Sequence, residues 1–311
     1  MPLDPNIAAV LAMLAELDHK PLWEGTVEEG REGYLALTRG TLDPDTVPPV
    51  AHTEELTVPG AVGELRARLY RPEGRGPFPT VAFFHGGGWV IGDLDTHDLM
   101  AREVCRGSRA VVVSVDYRLA PEHPFPAAAE DAVAAARWIA GHAAELGGND
   151  SFGVAGDSAG GNLSAVVAQQ LRAAGVPVAA QFLIYPAVDP TGSYASRVEN
   201  AEGYFLEKRS MDWFYRHYVP DVVDVKDPLL APLHAADLGG LPPAVVVTAE
   251  FDPLRDEGEA YAEALRTAGV PVDVQRYAGM IHGFFDMGRW SPAAQQAVEE
   301  SSARFGDLLR G

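Results

Sequence analysis

Ser158 stands in Gly156-Asp157-Ser158-Ala159-Gly160-Gly161-Asn162, a Gly-x-Ser-x-Gly stretch. A short apolar run, Ser151 to Ala155, precedes it, and Leu163, Val166, Val167 and Leu171 follow at helical spacing. A serine between glycines at a strand-to-helix turn has its hydroxyl lifted clear of the sheet, with a helix N-terminus behind it to favour developing negative charge. That is the arrangement of a nucleophile in acyl transfer. Such a serine needs an oxyanion hole, a base and an acid to orient the base.

The other parts have matching signals. The apolar run Val81–Phe84 leads directly into His85-Gly86-Gly87-Gly88-Trp89. Consecutive glycines let backbone N–H groups converge on one point. His85 is expected to hold that loop rather than to act as the base. The base is expected at His282, which follows the last strand-like run and precedes the final helix. His217 and His234, the other histidines after Ser158, follow no strand. The acid is expected at Asp252, at the turn after Val245-Val246-Val247-Thr248. Asp256 and Glu257 compete with it, but they read as favourable charges opening the next helix.

The elements that must position these residues alternate. Strands are expected at Val81–Phe84, Ala110–Val115, Phe152–Ala155, Gln181–Tyr185, Ala244–Thr248 and Val272–Tyr277. Helices are expected at His97–Arg106, Ala127–Leu146, Ser158–Ala174, Glu257–Ala268 and Pro292–Leu309. Short apolar strands separated by helices imply a parallel sheet buried on both faces. Glu54 to Tyr70 alternates like strand, with a turn at Pro59-Gly60. Two stretches stand outside the rhythm. Near the N-terminus, Ile7–Leu17 and Val27–Leu37 have helical spacing. Between Val188 and about Lys226 the chain is rich in aromatics, among them Tyr204, Phe205, Trp213, Phe214 and Tyr215. We read residues 1–50 as the N-terminal part of a cap, and 51–311 as a catalytic domain with a cap insertion at about 188–226. Leu11, Met13, Leu14, Leu17, Leu22 and Trp23 are expected to pack against Phe205, Trp213, Phe214 and Tyr215 above the serine.

These pieces together resemble the hormone-sensitive-lipase-like branch of the α/β-hydrolases, in particular its bacterial carboxylesterases. The matching stretches are His85–Trp89, Asp116-Tyr117-Arg118-Leu119-Ala120-Pro121-Glu122-His123-Pro124-Phe125-Pro126-Ala127, Gly156–Asn162, Asp252–Gly258 and His282-Gly283-Phe284. They run in the family's order from about residue 65 to the C-terminus. Asp157 before the serine fits the Gly-Asp-Ser-Ala-Gly subgroup. The resemblance implies an α/β-hydrolase fold, with a mostly parallel central sheet flanked by helices and a helical cap. It implies Ser158, Asp252 and His282 as a triad and the N–H groups of Gly87, Gly88 and Ala159 as oxyanion donors, with Gly86 a bystander. The expected activity is hydrolysis of short- to medium-chain carboxylic esters through an acyl-enzyme, with no cofactor and no metal. The alternatives are a small-molecule receptor on the same fold, or an amidase or lactonase.

Bulk properties narrow the partners. The chain has 311 residues, 47% hydrophobic and 22% charged, as expected for a globular protein with a sizeable core. Its net charge of -20 disfavours nucleic acid and anionic lipid. The single cysteine, Cys105, lies on the apolar face of a helical pattern and reads as packing. The start, Met-Pro-Leu-Asp-Pro, lacks a basic region followed by a long apolar run, and no stretch reaches the length of a membrane span. The expected location is cytoplasmic, without stable membrane association. The sequence leaves a homo-oligomer open.

Overall fold

A computed structural model describes residues 2–16, 20–40 and 42–311, the side chain of Pro44 excepted. Eight strands among them form one sheet in the order β1-β2-β4-β3-β5-β6-β7-β8. They are β1 (His52–Pro59), β2 (Glu64–Arg71), β3 (Phe78–Phe84), β4 (Val111–Val115), β5 (Gly148–Asp157), β6 (Ala180–Ile184), β7 (Ala244–Phe251) and β8 (Val272–Ile281). β2 pairs antiparallel with both β1 and β4, and every pairing from β4 through β8 is parallel. The parallel strands need crossover helices, which the sequence supplies as α3 (Asp98–Ser108), α4 (Ala127–Gly141), α5 (Ala159–Ala173), α8 (Arg255–Thr267) and, after β8, α9 (Pro292–Arg310).

Successive residues of a strand face opposite sides, and the core divides accordingly. Ala82, Phe84, Val113 and Val246 pack with Ala132, Ala136, Val166 and Leu265 of α4, α5 and α8. Val81, Phe83, Val112 and Val247 pack with Met100, Val104, Val298 and Phe305 of α3 and α9. Cys105 is fully buried in this second layer. The edges depart from a sheet buried on both faces. β1 is mostly exposed, and β8 is buried only over its last three residues.

β8 continues four residues past the expected Tyr277. A register shift against β7 between Ala249 and Phe251 interrupts the alternation there, and pairing resumes at Phe251 and Ile281. α4 stops at Gly141 rather than Leu146. Ala143 and Leu146 are buried from turns instead, and Gly147 has a φ of 87°.

The N-terminal stretch does not behave as one unit. α1 (Pro5–Glu16) buries Ile7 and Val10 in the α3/α9 layer beside Met280, Phe285 and Met287. The Asp4 N–H donates to the Gly279 carbonyl at 3.0 Å. Leu11 and Leu14 pack there too, and Met13 is 38% exposed. The expectation that these three residues meet the aromatic insertion is therefore corrected: β8 and the turn after it offer α1 an apolar surface of their own. Leu17 lies outside the described residues. α2 (Val27–Arg39), preceded by Leu22 and Trp23, does join the insertion. Thr26 and Glu29 form a capping box that starts α2. Val27 is buried in the same cluster as Ile91, Trp213 and Phe214.

The insertion between β6 and β7 holds a short α6 (Ser196–Glu199) and α7 (Lys208–Tyr218). It buries Met211, Trp213, Phe214 and Tyr218.

Candidate active site

Strand register gathers the site. At the C-terminal edge of the sheet, Phe84 pairs with Gly156, Asp157 with Ile184, and Phe251 with Ile281. The next residue on each strand is His85, Ser158, Tyr185, Asp252 or His282. Residues far apart in sequence thus reach one crevice, where open parallel sheets bind ligands.

Ser158 sits between β5 and α5 with φ 54° and ψ −115°. A side chain in that region is strained and persists only where its surroundings impose it. Here the Ser158 N–H donates to the Ile184 carbonyl at 2.8 Å, and its own carbonyl accepts from Asn162 at 3.0 Å. The flanking glycines are required by close approach: a Cβ on Gly160 would lie 1.8 Å from the Phe84 carbonyl oxygen.

The structure brings the three expected residues together. His282 Nε2 lies 3.1 Å from Ser158 Oγ, and His282 Nδ1 lies 2.8 Å from Asp252 Oδ2. Asp252 is fully buried. Its other oxygen accepts the Leu254 N–H at 2.8 Å, and its carbonyl accepts from Asn200 Nδ2 at 3.1 Å. The Tyr185 ring packs against the imidazole at 4.5 Å between centroids. Ser158 itself is half-buried and can meet a ligand.

The competitors are engaged elsewhere. Asp256 accepts the Ser196 N–H at 2.8 Å and pairs with Arg255. Glu257 is more than a helix-opening charge. It is fully buried, accepts the N–H groups of Val188 and Asp189, and pairs with Arg197. Burial pushes its carboxyl up to about 7 against the pull of Arg197. It anchors the start of the insertion. His217 Nδ1 contacts the Trp213 carbonyl within α7, and His234 pairs with Asp189.

Gly87 and Gly88 have φ of 105° and 59°, conformations that L side chains rarely adopt. Among the described residues, no hydrogen bond engages the N–H of Gly87, Gly88 or Ala159. The Ala159 N–H belongs to the first turn of α5, where no intrahelical carbonyl exists for it. The Gly86 N–H differs, donating to Asp157 Oδ1 at 2.8 Å. His85 is fully buried, stacks on Tyr117 at 4.3 Å, and has Nδ1 2.7 Å from the Gly86 carbonyl oxygen. Burial pushes its imidazole down to about 4, so it is held neutral. Tyr117 Oη donates to the His85 carbonyl at 2.7 Å.

Two aromatics of the insertion close over the site. A Cβ on Gly88 would lie 2.2 Å from the Phe214 ring, and one on Gly283 would lie 3.1 Å from the Phe205 ring. α2 reaches the same loop through Arg31, whose guanidinium donates to the carbonyls of Val90 and Ala120 and forms a two-pronged pair with Glu122.

Sequence reading did not find Tyr185, Asn200, the anchoring contacts of Glu257 or the Asp157–Gly86 bond. Only Tyr185 carried a signal, its place directly after an apolar strand at the same edge. Cys105 has its thiol pushed up to about 12 by burial, so it is no nucleophile. Among the described residues, no cluster of three or more His, Cys, Asp or Glu could hold a metal, and no helix is long and apolar enough to cross a membrane.

Comparison with known proteins bears on the fold and the class of activity. A family model described as alpha/beta hydrolase fold matches residues 81–286. The carboxylesterase NlhH of Mycobacterium tuberculosis is 45% identical over 302 residues, covering 94% of this chain and 93% of that one. The carboxylic ester hydrolase LipN of the same organism is 49% identical over 246 residues, covering 75% of this chain and 64% of that one. A solved hyperthermophilic esterase from the archaeon Pyrobaculum calidifontis superposes with a TM-score of 0.94 at 43% identity, covering 100% of each chain. The chain belongs to the alpha/beta hydrolase fold family, as a serine hydrolase of the carboxylesterase type in its hormone-sensitive-lipase-like branch.

Proposed function

We propose that Ser158, His282 and Asp252 hydrolyse short- to medium-chain carboxylic esters through an acyl-enzyme. The observation that carries this is the continuous chain Ser158 Oγ, His282 Nε2, His282 Nδ1, Asp252 Oδ2, with gaps of 3.1 and 2.8 Å. His282 takes the Ser158 proton as Oγ attacks the ester carbonyl. The oxyanion forms against the N–H groups of Gly87, Gly88 and Ala159. His282, now protonated, gives its proton to the departing alcohol. Water then attacks the acyl-enzyme by the same route and frees Ser158. Asp252 holds the tautomer with Nδ1–H and stabilises the imidazolium. No step calls for a cofactor.

The preference for short and medium acyl chains is supported by Phe214 against Gly88 of the glycine loop and Phe205 against Gly283 next to His282, bulky rings set beside the proposed machinery. α2 and the 188–226 insertion act as the cap over this site, on the catalytic body formed by residues 51–311. The charge of -20 favours a small ester over nucleic acid as the partner. One buried thiol and no second cysteine suit a reducing compartment such as the cytoplasm.

Ser158→Ala tests the core of this reading. Turnover of p-nitrophenyl butyrate is expected to fall about a million-fold while the melting temperature is retained, and a folded variant with a tenth of normal activity would refute it. A series of acyl esters from acetate to palmitate, run beside matched amides, tests the rest. Rates are expected to peak at short or medium chain and to be lower on amides. A peak on long-chain emulsions would overturn the chain-length reading.

A further inference from the structure

Ladder pairing between β3 and β5 ends at Phe84 and Gly156. One residue later the two chains must part, one into the glycine loop and the other into the nucleophile turn. A side chain extends the ladder across that gap. Asp157 Oδ1 accepts the Gly86 N–H at 2.8 Å. The fit leaves no room for a larger residue, because a Cβ on Gly86 would lie 2.3 Å from Asp157 Oδ2. The first of the three glycines therefore serves this carboxylate rather than the substrate.

Asp157 is 5% exposed. A carboxylate so buried is costly unless it is hydrogen-bonded and paired. His97, fully buried at the start of α3, supplies the partner. Its Nε2 lies 3.6 Å from Asp157 Oδ1, and its Nδ1 lies 2.9 Å from Thr96 Oγ1. Burial pulls the imidazole pKa down, but the negative charges of Asp157, Asp286 and Asp93 together raise it. The Gly86 N–H also lies 3.2 Å from His97 Nε2, so the imidazole and the Asp157 carboxylate meet at the same backbone N–H. Tyr34 of α2 approaches the same Nε2 at 3.5 Å.

We propose that Asp157 and His97 are positioning residues, a buried pair that bolts the oxyanion loop to the nucleophile turn. Gly86 is one residue before Gly87, and Asp157 is two before Ala159. The bond between them therefore sets the spacing of the donors that come from different strands. Neither residue touches the reacting atoms. The inference rests on the assignment of Gly87, Gly88 and Ala159 as oxyanion donors. Its size follows from geometry: a misplacement of about 1 Å can cost about 100-fold, and loss of one donor costs about 100- to 1,000-fold.

The test is steady-state kinetics on p-nitrophenyl butyrate with Asp157→Ala, Asp157→Asn and His97→Gln, with Ser158→Ala alongside and thermal melts to establish folding. Asp157→Ala is expected to lower kcat about 100-fold with KM nearly unchanged, because transition-state donors are displaced and ground-state binding is not. Asp157→Asn keeps an acceptor for the Gly86 N–H and is expected to stay within about tenfold of the parent, with His97→Gln losing about tenfold. A folded Asp157→Ala with unchanged kcat, a loss carried by KM alone, or an Asp157→Asn no better than Asp157→Ala would each overturn the proposal. If Asp157→Ala does not fold, His97→Gln decides, and an unchanged kcat there overturns it. Appreciable activity in Ser158→Ala would sink the triad reading itself. An inactive Ser158→Ala beside a normal Asp157→Ala would sink only the bolt.

Discussion

The floor and the roof of the crevice at Ser158 are built by different means. The floor is the C-terminal edge of a parallel sheet. Hydrogen-bond register fixes Phe84 against Gly156, Asp157 against Ile184 and Phe251 against Ile281, and each functional side chain comes one residue later. The roof has no ladder. α2 and α7 hold together through Val27, Trp213 and Phe214, and α2 is tied to the loop beneath by the Arg31 fork. Backbone pairing places atoms to a few tenths of an ångström, as proton transfer requires. Side-chain packing encloses volume and tolerates exchange of residues of similar size. Changes to the floor should therefore abolish turnover, whereas changes to the roof should redistribute it among substrates.

The largest contrast lies within the floor. Asp252→Asn leaves His282 without the acceptor that fixes its tautomer, and kcat is expected to fall about ten-thousand-fold by analogy with serine proteases. Asp256→Asn, four residues on, removes a bond to Ser196 and a pair with Arg255. It is expected to lower the melting temperature and leave kcat within about threefold, since it releases the insertion and not the imidazole. Kinetics on both variants checks this, and a greater loss at Asp256 would reverse the roles.

His85 gives the floor a pH signature. Burial holds its pKa at about 4, below an unfolded value of 6.5. Between these values the unfolded chain takes up a proton that the folded chain refuses. The stability His85 allows is complete above about pH 6.5 and is lost as the pH falls toward 4. Melting temperatures should drop through this window, and less steeply in His85→Asn, which carries no titrating ring. Parallel slopes in the two proteins would contradict this.

In the roof, Phe214→Ala is expected to move the optimum toward longer acyl chains, with up to about tenfold changes in relative kcat/KM, because it removes the ring lying on Gly88. The ring is largely buried, so a stability loss of about 3 kcal/mol should accompany the change. The smallest functional effect is expected for deletion of residues 1–16. α1 buries Ile7 and Val10 against the β8 side of the core and not in the α2/α7 cluster. The truncated protein should melt lower and keep the same acyl-chain profile. A shifted profile would join α1 to the roof.

How much of this could be read beforehand follows the same division. The strands around Ser158 are short apolar runs bounded by breaks, and the residues proposed for the site stand at their ends. Ser158, His282, Asp252 and the glycine loop could therefore be named from position as candidates, and the structure brings the three side chains within hydrogen-bond reach. α1 shows its apolar spacing plainly, but spacing says which face is buried and not what covers it. Leu22, Trp23 and α2 met the insertion, while Leu11 and Leu14 met another part of the core. The contacts of Asp157, His97 and Glu257 were invisible for a further reason. Each is a side-chain bond to backbone or to a buried partner far away in sequence, and such bonds leave no periodic trace. The end of β8 was hidden by the register shift at Ala249 and Phe251, which breaks the alternation that marks a strand.

The central claim is that Ser158 carries the acyl group. Intact-protein and peptide mass spectrometry after exposure to a p-nitrophenyl alkylphosphonate tests it most directly. One phosphonyl adduct per chain is expected, on the peptide containing Ser158, formed in step with loss of esterase activity and absent from Ser158→Ala. An adduct on another residue, or full activity remaining after Ser158 is labelled, would contradict the account.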